Sequence, residues 1–155
     1  MTLIIVSVLI GIVAGLRAMT APAAIAVGAR YGAIAVAGTP LAFMGYMWTP
    51  WIFCALGVLE LITDQLPTTP SRKIPVQFAG RVLTGALSGA ALAAPQGLLV
   101  AGLIAGIIGA VIGTLGGAAF RARLAAAFGK DRPAALIEDI VAIVAAALIV
   151  LAYGR

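Results

Sequence analysis

Long apolar runs, separated by short polar or proline-containing segments, dominate the hydrophobic pattern of this chain. Residues 98–120 carry no charged side chain, and a run of about 18 or more apolar residues can cross the hydrocarbon core of a bilayer as a helix. Similar runs predict further helical spans at about 2–16, 50–65, 76–94 and 133–153. The pattern therefore predicts an all-α, polytopic integral membrane bundle.

The segment 18–37 fits this pattern least well. It is weakly apolar, is broken by Pro22 and is interrupted by Arg30, so we expect a short or irregular second span there, or two half-helices. The whole chain, 1–155, is then a single transmembrane helical domain with five to six spans, some of them short or broken.

Aromatic residues and turn signals mark the connections between these spans. The loop around 38–50 holds Tyr46, Trp48 and Trp51, which suits an aromatic belt at a membrane interface. The tripeptide at 95–97, Pro-Gln-Gly, predicts a tight turn.

Composition supports the membrane assignment and argues against an enzyme. The chain is 63% hydrophobic and 10% charged, whereas soluble domains are about 45–50% apolar and 25% charged. It has no histidine and one cysteine, Cys54, which argues against a zinc site and against a Ser-His or Cys-His catalytic pair. We therefore expect no catalytic residues, no metal and no cofactor.

The net charge of +5 is concentrated in two predicted loops. Loop 66–75 contains Arg72 and Lys73, and loop 121–132 contains four cations and one acid. The positive-inside rule makes this side cytoplasmic and predicts a multi-pass protein of the inner membrane. We expect the basic loops to contact anionic lipid headgroups. Nucleic-acid binding is not indicated, because the cations are not clustered with aromatics on a soluble face.

All five acids of the chain fall in the predicted cytoplasmic half. Glu60 and Asp64 close a span on that side, Asp131 follows in the loop, and Glu138 and Asp139 lie in the second turn of the last span. Two arginines are predicted to join them. The candidate polar or ion site comprises Arg17, Glu60, Asp64, Arg81, Glu138 and Asp139.

The spacing of these acids allows two interpretations. Glu60 and Asp64 are four residues apart and share one helix face, whereas Glu138 and Asp139 are adjacent and face about 100° apart. A charge at membrane depth costs at least about 2.5–3.5 kcal/mol and usually faces a bundle interior. The acids therefore form a cation or proton site, or part of a gate, or they pair with arginines and lock helices together. For Arg17, beside a helix break, we favour pairing with an acid over binding a ligand.

A stripe of glycines predicts close helix packing. Its members recur every three or four residues along one face of the span 98–120: Gly102, Gly106, Gly109, Gly113 and Gly117. Small residues let membrane helices approach closely, and Gly85 and Gly89 repeat the spacing in the preceding span. We interpret the stripe as a packing seam within the hairpin 76–120, with a homo-oligomer seam as the alternative.

Several segments together resemble a known bacterial family. "GLRAMTAPAA", "ELITDQLPTTPSR", "GALSGAALA" and "GTLGGAAFRARLAAAFGKDRPAALIEDIVAI" occur in order over nearly the whole chain. They resemble the small membrane proteins catalogued as domain of unknown function 4126. The resemblance implies a polytopic inner-membrane protein and no established activity. The family typically has a lysine after the aspartate, where this chain has Gln65, so a mechanism that needs that cation is doubtful here.

The sequence leaves two main functions open. The first is a transporter or channel for an ion or small polar solute, with the acids at its cytoplasmic mouth. The alternative is a structural or lipid-binding membrane protein that assembles through its glycine-rich helices. An intramembrane enzyme binding Mg²⁺ through paired carboxylates is the least favoured.

Overall fold

The protein folds into a bundle of α-helices, and this computed structural model describes residues 2–64 and 74–153. Those residues form six α-helices and no strand. The helices are α1 (Thr2–Leu16), α2 (Thr20–Arg30), α3 (Thr49–Thr63), α4 (Pro75–Ala93), α5 (Leu99–Phe128) and α6 (Asp131–Tyr153). The all-α fold class predicted from the sequence is confirmed.

Contacts between the helices show that α1 and α4 run in opposite directions and that α4 and α6 end on the same side of the bundle. Ser7 of α1 donates a hydrogen bond to the carbonyl of Gly89 near the end of α4 (3.2 Å). Arg81, near the start of α4, donates to the carbonyl of Leu16 at the end of α1 (2.7 Å). At the far end of the bundle the Tyr153 hydroxyl of α6 donates to the carbonyl of Leu92 (2.8 Å).

The bundle therefore has two distinct ends. We call the end where α1 and α3 finish and α2 and α4 begin the charged end, because the acids lie there. The opposite end is the aromatic end, where Tyr31, Tyr46 and Trp48 are 79%, 64% and 67% exposed.

Glycines bring α1, α4 and α5 into direct backbone contact. A Cβ added at Gly106 would overlap the carbonyl of Gly85 in α4, and one added at Gly109 would overlap the carbonyl of Val8 in α1. The five seam glycines are all buried: Gly102, Gly106, Gly109, Gly113 and Gly117. Because α1 and α4 both pack on this stripe, the structure favours the interpretation as a seam within the chain. The homo-oligomer alternative gains no support from it.

The observed boundaries correct two sequence predictions. The stretch 121–132 is not a loop, since α5 continues to Phe128 and ends at Gly129, which has a φ of 66°. Its alanines, leucine and arginines are strong helix formers, and nothing in their sequence breaks a helix. Trp51 lies in the first turn of α3 and not in the preceding loop. The expected short second span is a single helix, α2, of 11 residues.

The remaining connections agree with expectation where the structure describes them. A short 3-10 helix at Ala94–Gln96 and a left-handed Gly97 (φ 72°) form the tight turn between α4 and α5. Gln65 and the predicted loop cations Arg72 and Lys73 lie outside the described residues.

Two of the described helices have the length and apolar character of a membrane span. Among the described residues, α5 and α6 are long and apolar enough to cross a membrane, whereas α1 and α3 are apolar but shorter. The chain thus carries two candidate transmembrane helices, and the count of five to six spans stays a prediction.

Candidate functional site

Ion pairs between three arginines and all five acids of the chain join four helices and the α1–α2 turn at the charged end. We call this group the charged cluster. Its members are Arg17, Glu60, Asp64, Arg81, Arg121, Asp131, Glu138 and Asp139. The six residues that the sequence predicted as a polar site are therefore brought together.

Arg17 lies at the point where the chain reverses direction between α1 and α2. Its side chain is completely buried and forms ion pairs with Asp64, at the end of α3, and with Asp139 of α6. A buried guanidinium needs such partners, because an isolated charge in this environment is very costly. Arg17 thus ties the reversal to two other helices, as the preferred interpretation of its position predicted.

Glu60 accepts hydrogen bonds from the backbone of the same reversal. Its Oε1 accepts from the N–H of Ala18 and its Oε2 from the N–H of Met19, both at 2.8 Å. The first amide groups of a helix have no partner within the helix, and their dipoles favour a negative charge. Glu60 of α3 therefore caps the start of α2 from a neighbouring helix.

Arg81 pairs with the carbonyl groups on the α1 side of the reversal. Its Nη1 donates to the carbonyls of Gly15 (3.2 Å) and Leu16 (2.7 Å), where α1 ends without further helical donors. Its Nη2 lies 3.6 Å from Glu60 Oε1 and 3.9 Å from Asp64 Oδ2. The carbonyls and the amides of the reversal are therefore both paired, the first with a cation and the second with an anion.

Arg121 extends the cluster toward the end of the bundle. Its Nε donates to Asp131 Oδ1 (2.9 Å), and its Nη1 lies 3.7 Å from Glu138 Oε2. The Asp131 side chain is 60% exposed, whereas that of Glu138 is 1% exposed. The cluster therefore runs from a deeply buried layer around Arg17 to a solvent-facing pair at Asp131.

Sequence reasoning missed two members of this arrangement. It placed both Arg121 and Asp131 in a basic loop and left them out of the candidate site. The available signal was the helix-forming stretch after residue 120, which carries Arg121 onto a helix facing α6. The adjacent acids Glu138 and Asp139 pair with different arginines, Arg121 and Arg17, as their angular separation predicted.

The cluster does not have the composition of a metal centre. In the parts of the chain that the structure describes, no three residues among histidine, cysteine, aspartate and glutamate are grouped so that they would hold a metal ion. Its carboxylates face guanidinium groups or backbone amides instead.

Searches of protein-family models, curated proteins and solved structures find no match to this chain. The resemblance to domain of unknown function 4126 therefore stays a prediction, and the function has to be argued from the cluster itself.

Proposed function

We propose that this is a multi-pass inner-membrane protein in which all six helices enter the bilayer. Large apolar side chains on the outside of the bundle support the proposal, for example Ile62 (58% exposed), Ile140 (61%) and Leu148 (61%). Extensive exposed apolar surface is rare on soluble monomers and marks contact with a membrane or partner. The cations Arg123, Lys130 and Arg132 at the charged end make that end cytoplasmic by the positive-inside rule.

From the helix lengths we infer that the charged cluster lies inside the bilayer in this arrangement. The 15 residues of α1 rise about 22 Å before they reach Arg17, whereas the hydrocarbon core is about 30 Å thick. If α1 starts at the outer interface, the reversal between α1 and α2 lies inside the hydrocarbon core and does not reach the cytoplasmic interface. Backbone groups at such depth need internal partners, which Glu60 and Arg81 supply. In this arrangement α1, α2 and α3 are short because they end within the membrane.

We infer that the protein transports an ion or a small polar solute and that the charged cluster is its gate. The observation that carries this inference is the burial of opposite charges in one layer: Arg17 is 0% exposed, Arg81 2% and Glu138 1%. Apolar packing stabilises a bundle as well as, or better than, buried ion pairs. Ionisable residues at membrane depth accordingly mark ion pathways and relays. In this proposal Arg17 holds α3 and α6 together when the path is closed, and exchanges partners when it opens.

Flux through proteoliposomes tests the proposal. Purified protein would be reconstituted, and the movement of protons, Na⁺, K⁺ and phosphate would be followed with entrapped indicators. We expect flux above that of empty liposomes for one of these probes, and a changed rate in Asp139→Asn, which removes one charged partner of Arg17. Asp131→Asn is the matched control, because Asp131 is largely exposed. Flux equal to that of empty liposomes for every probe would count against transport.

A structural role is the second candidate, and the directness of the ion pairs favours it. Arg17 contacts Asp64 and Asp139 without an intervening group, which suits a lock between helices. In that case Asp139→Asn lowers the unfolding temperature while no variant alters flux. Retention of anionic lipid by the basic charged end, measured by native mass spectrometry, would further support a lipid-associated scaffold.

A further inference from the structure

Two cavities meet in a groove between α2, α3 and α6, away from the charged cluster. The larger, of about 460 Å³, is lined almost entirely by apolar side chains of these helices. The smaller, of about 240 Å³, lies at the aromatic end and is lined by Arg30, Tyr31 and Trp51 among others. Val27 and Cys54 line both cavities. Because the two cavities share these lining residues, we refer to them together as the α2–α3 groove.

The groove has the depth of one bilayer leaflet. It follows α2 from Thr20, which lines its inner part, to Arg30 at its mouth. The 11 residues of α2 rise about 16 Å, close to half of the roughly 30 Å hydrocarbon thickness. An extended acyl chain of a single leaflet therefore matches the length of the groove.

The mouth of the groove carries a cation, Arg30, that pairs with no carboxylate of the described residues. All five acids of the chain lie in the charged cluster at the opposite end, and in 2–64 and 74–153 no carboxylate pairs with Arg30. A guanidinium binds phosphate with two parallel hydrogen bonds. Tyr31 and Trp51 beside it have the character of interfacial residues, which lie at the level of lipid headgroups.

We propose that the α2–α3 groove binds one anionic phospholipid, with an acyl chain along α2 and the phosphate on Arg30. Charge identifies the occupant, because Arg30, which has no carboxylate partner within 2–64 and 74–153, lies at the mouth of an apolar trough. This site is distinct from headgroup contacts at the basic charged end. It requires the proposed membrane location but does not depend on transport.

Three variants distinguish the contributions of the phosphate ligand, of the apolar trough and of a cation elsewhere on the protein. Arg30→Gln removes the phosphate ligand and leaves the trough. Gly57→Leu fills the trough, since Gly57 lines it and a Cβ there meets only the Cβ of Met19, at the ordinary contact distance of 3.8 Å. Arg132→Gln is the matched control, because it removes one exposed cation at the charged end.

Binding would be measured on the full chain in detergent by native mass spectrometry, with phosphatidylglycerol as the anionic probe and phosphatidylcholine as the zwitterionic one. Cys54, the only cysteine of the chain, reports occupancy in the same samples through its rate of alkylation by a maleimide. We expect phosphatidylglycerol to bind more tightly and to slow the alkylation. Arg30→Gln should weaken its binding about tenfold, because a hydrogen bond to a charged group is lost, and Gly57→Leu should abolish binding of both lipids.

The control Arg132→Gln should behave as the wild type. Equal binding of the two lipids, or binding of phosphatidylglycerol that neither Arg30→Gln nor Gly57→Leu weakens in correctly folded protein, would overturn the proposal. Either result leaves the transport proposal untouched, because flux depends on the other end of the bundle.

Discussion

Replacing Glu60 with glutamine tests how the reversal between α1 and α2 is held. The two carboxylate oxygens accept from the amides of Ala18 and Met19. Glutamine has the same shape but offers one acceptor, and its NH₂ group is itself a donor. One backbone amide is therefore left facing a donor, and Arg81 loses a negative neighbour 3.6 Å away.

The magnitude follows from the loss of one buried acceptor. An unsatisfied buried polar group costs about 1–3 kcal/mol, and the Glu60 side chain is only 14% exposed, so solvent replaces little of the lost interaction. We expect Glu60→Gln to lower the free energy of unfolding by about 2–4 kcal/mol, since a hydrogen bond to a charged group adds to that cost. Asp131→Asn, at an exposed pair, should cost about 1 kcal/mol or less.

Two assays would report on this prediction. Unfolding of the protein in mixed micelles, followed by circular dichroism, gives the difference in free energy between Glu60→Gln and Asp131→Asn. Hydrogen exchange reports the reversal directly, because the amides of Ala18 and Met19 should exchange faster in Glu60→Gln and at the wild-type rate in Asp131→Asn. Equal stabilities for the two variants, together with unchanged exchange at both amides, would refute the capping role.

Three further predictions follow from the same contacts. Arg17→Ala should destabilise the fold by about 3–5 kcal/mol, as measured by unfolding in mixed micelles, because it leaves buried carboxylates without their partner; a loss below 1 kcal/mol would contradict this. Gly106→Ala should lower the unfolding temperature, since its Cβ overlaps the carbonyl of Gly85, whereas Gly116→Ala, with nothing within 4 Å, should leave it unchanged. Arg121→Gln should lower the stability more than Asp131→Asn does, because it removes the cation that faces the buried Glu138 as well as the exposed Asp131; equal losses for the two variants would contradict this.

The parts of the fold that depend on residues close together in the sequence could be predicted from the sequence pattern. The glycine stripe of α5 was recognisable because close backbone approach requires residues without a Cβ at helical spacing. The grouping of the acids was recognisable because Glu60 and Asp64 close one apolar segment and Glu138 and Asp139 open another that starts on the same side. The different directions of Glu138 and Asp139 followed from helix geometry alone.

Contacts between distant segments account for what the sequence did not predict. Glu60 lies more than 40 residues from the amides that it caps, and no local signal connects the two. The extension of α5 to Phe128 was missed because the clustered cations after residue 120 were interpreted as a loop. A basic stretch continues a helix when its residues are good helix formers, and α5 carries Arg121 toward α6 in this way.

The coupling between Arg17 and Asp139 is the most direct measure of whether the acids and arginines act as one buried cluster. A double-mutant cycle would compare Arg17→Gln, Asp139→Asn and the double variant with the wild type by unfolding in mixed micelles. For residues in one ion-pair network the account predicts a coupling energy of about 1–3 kcal/mol. Additive effects of the two substitutions, with a coupling near zero, would contradict it.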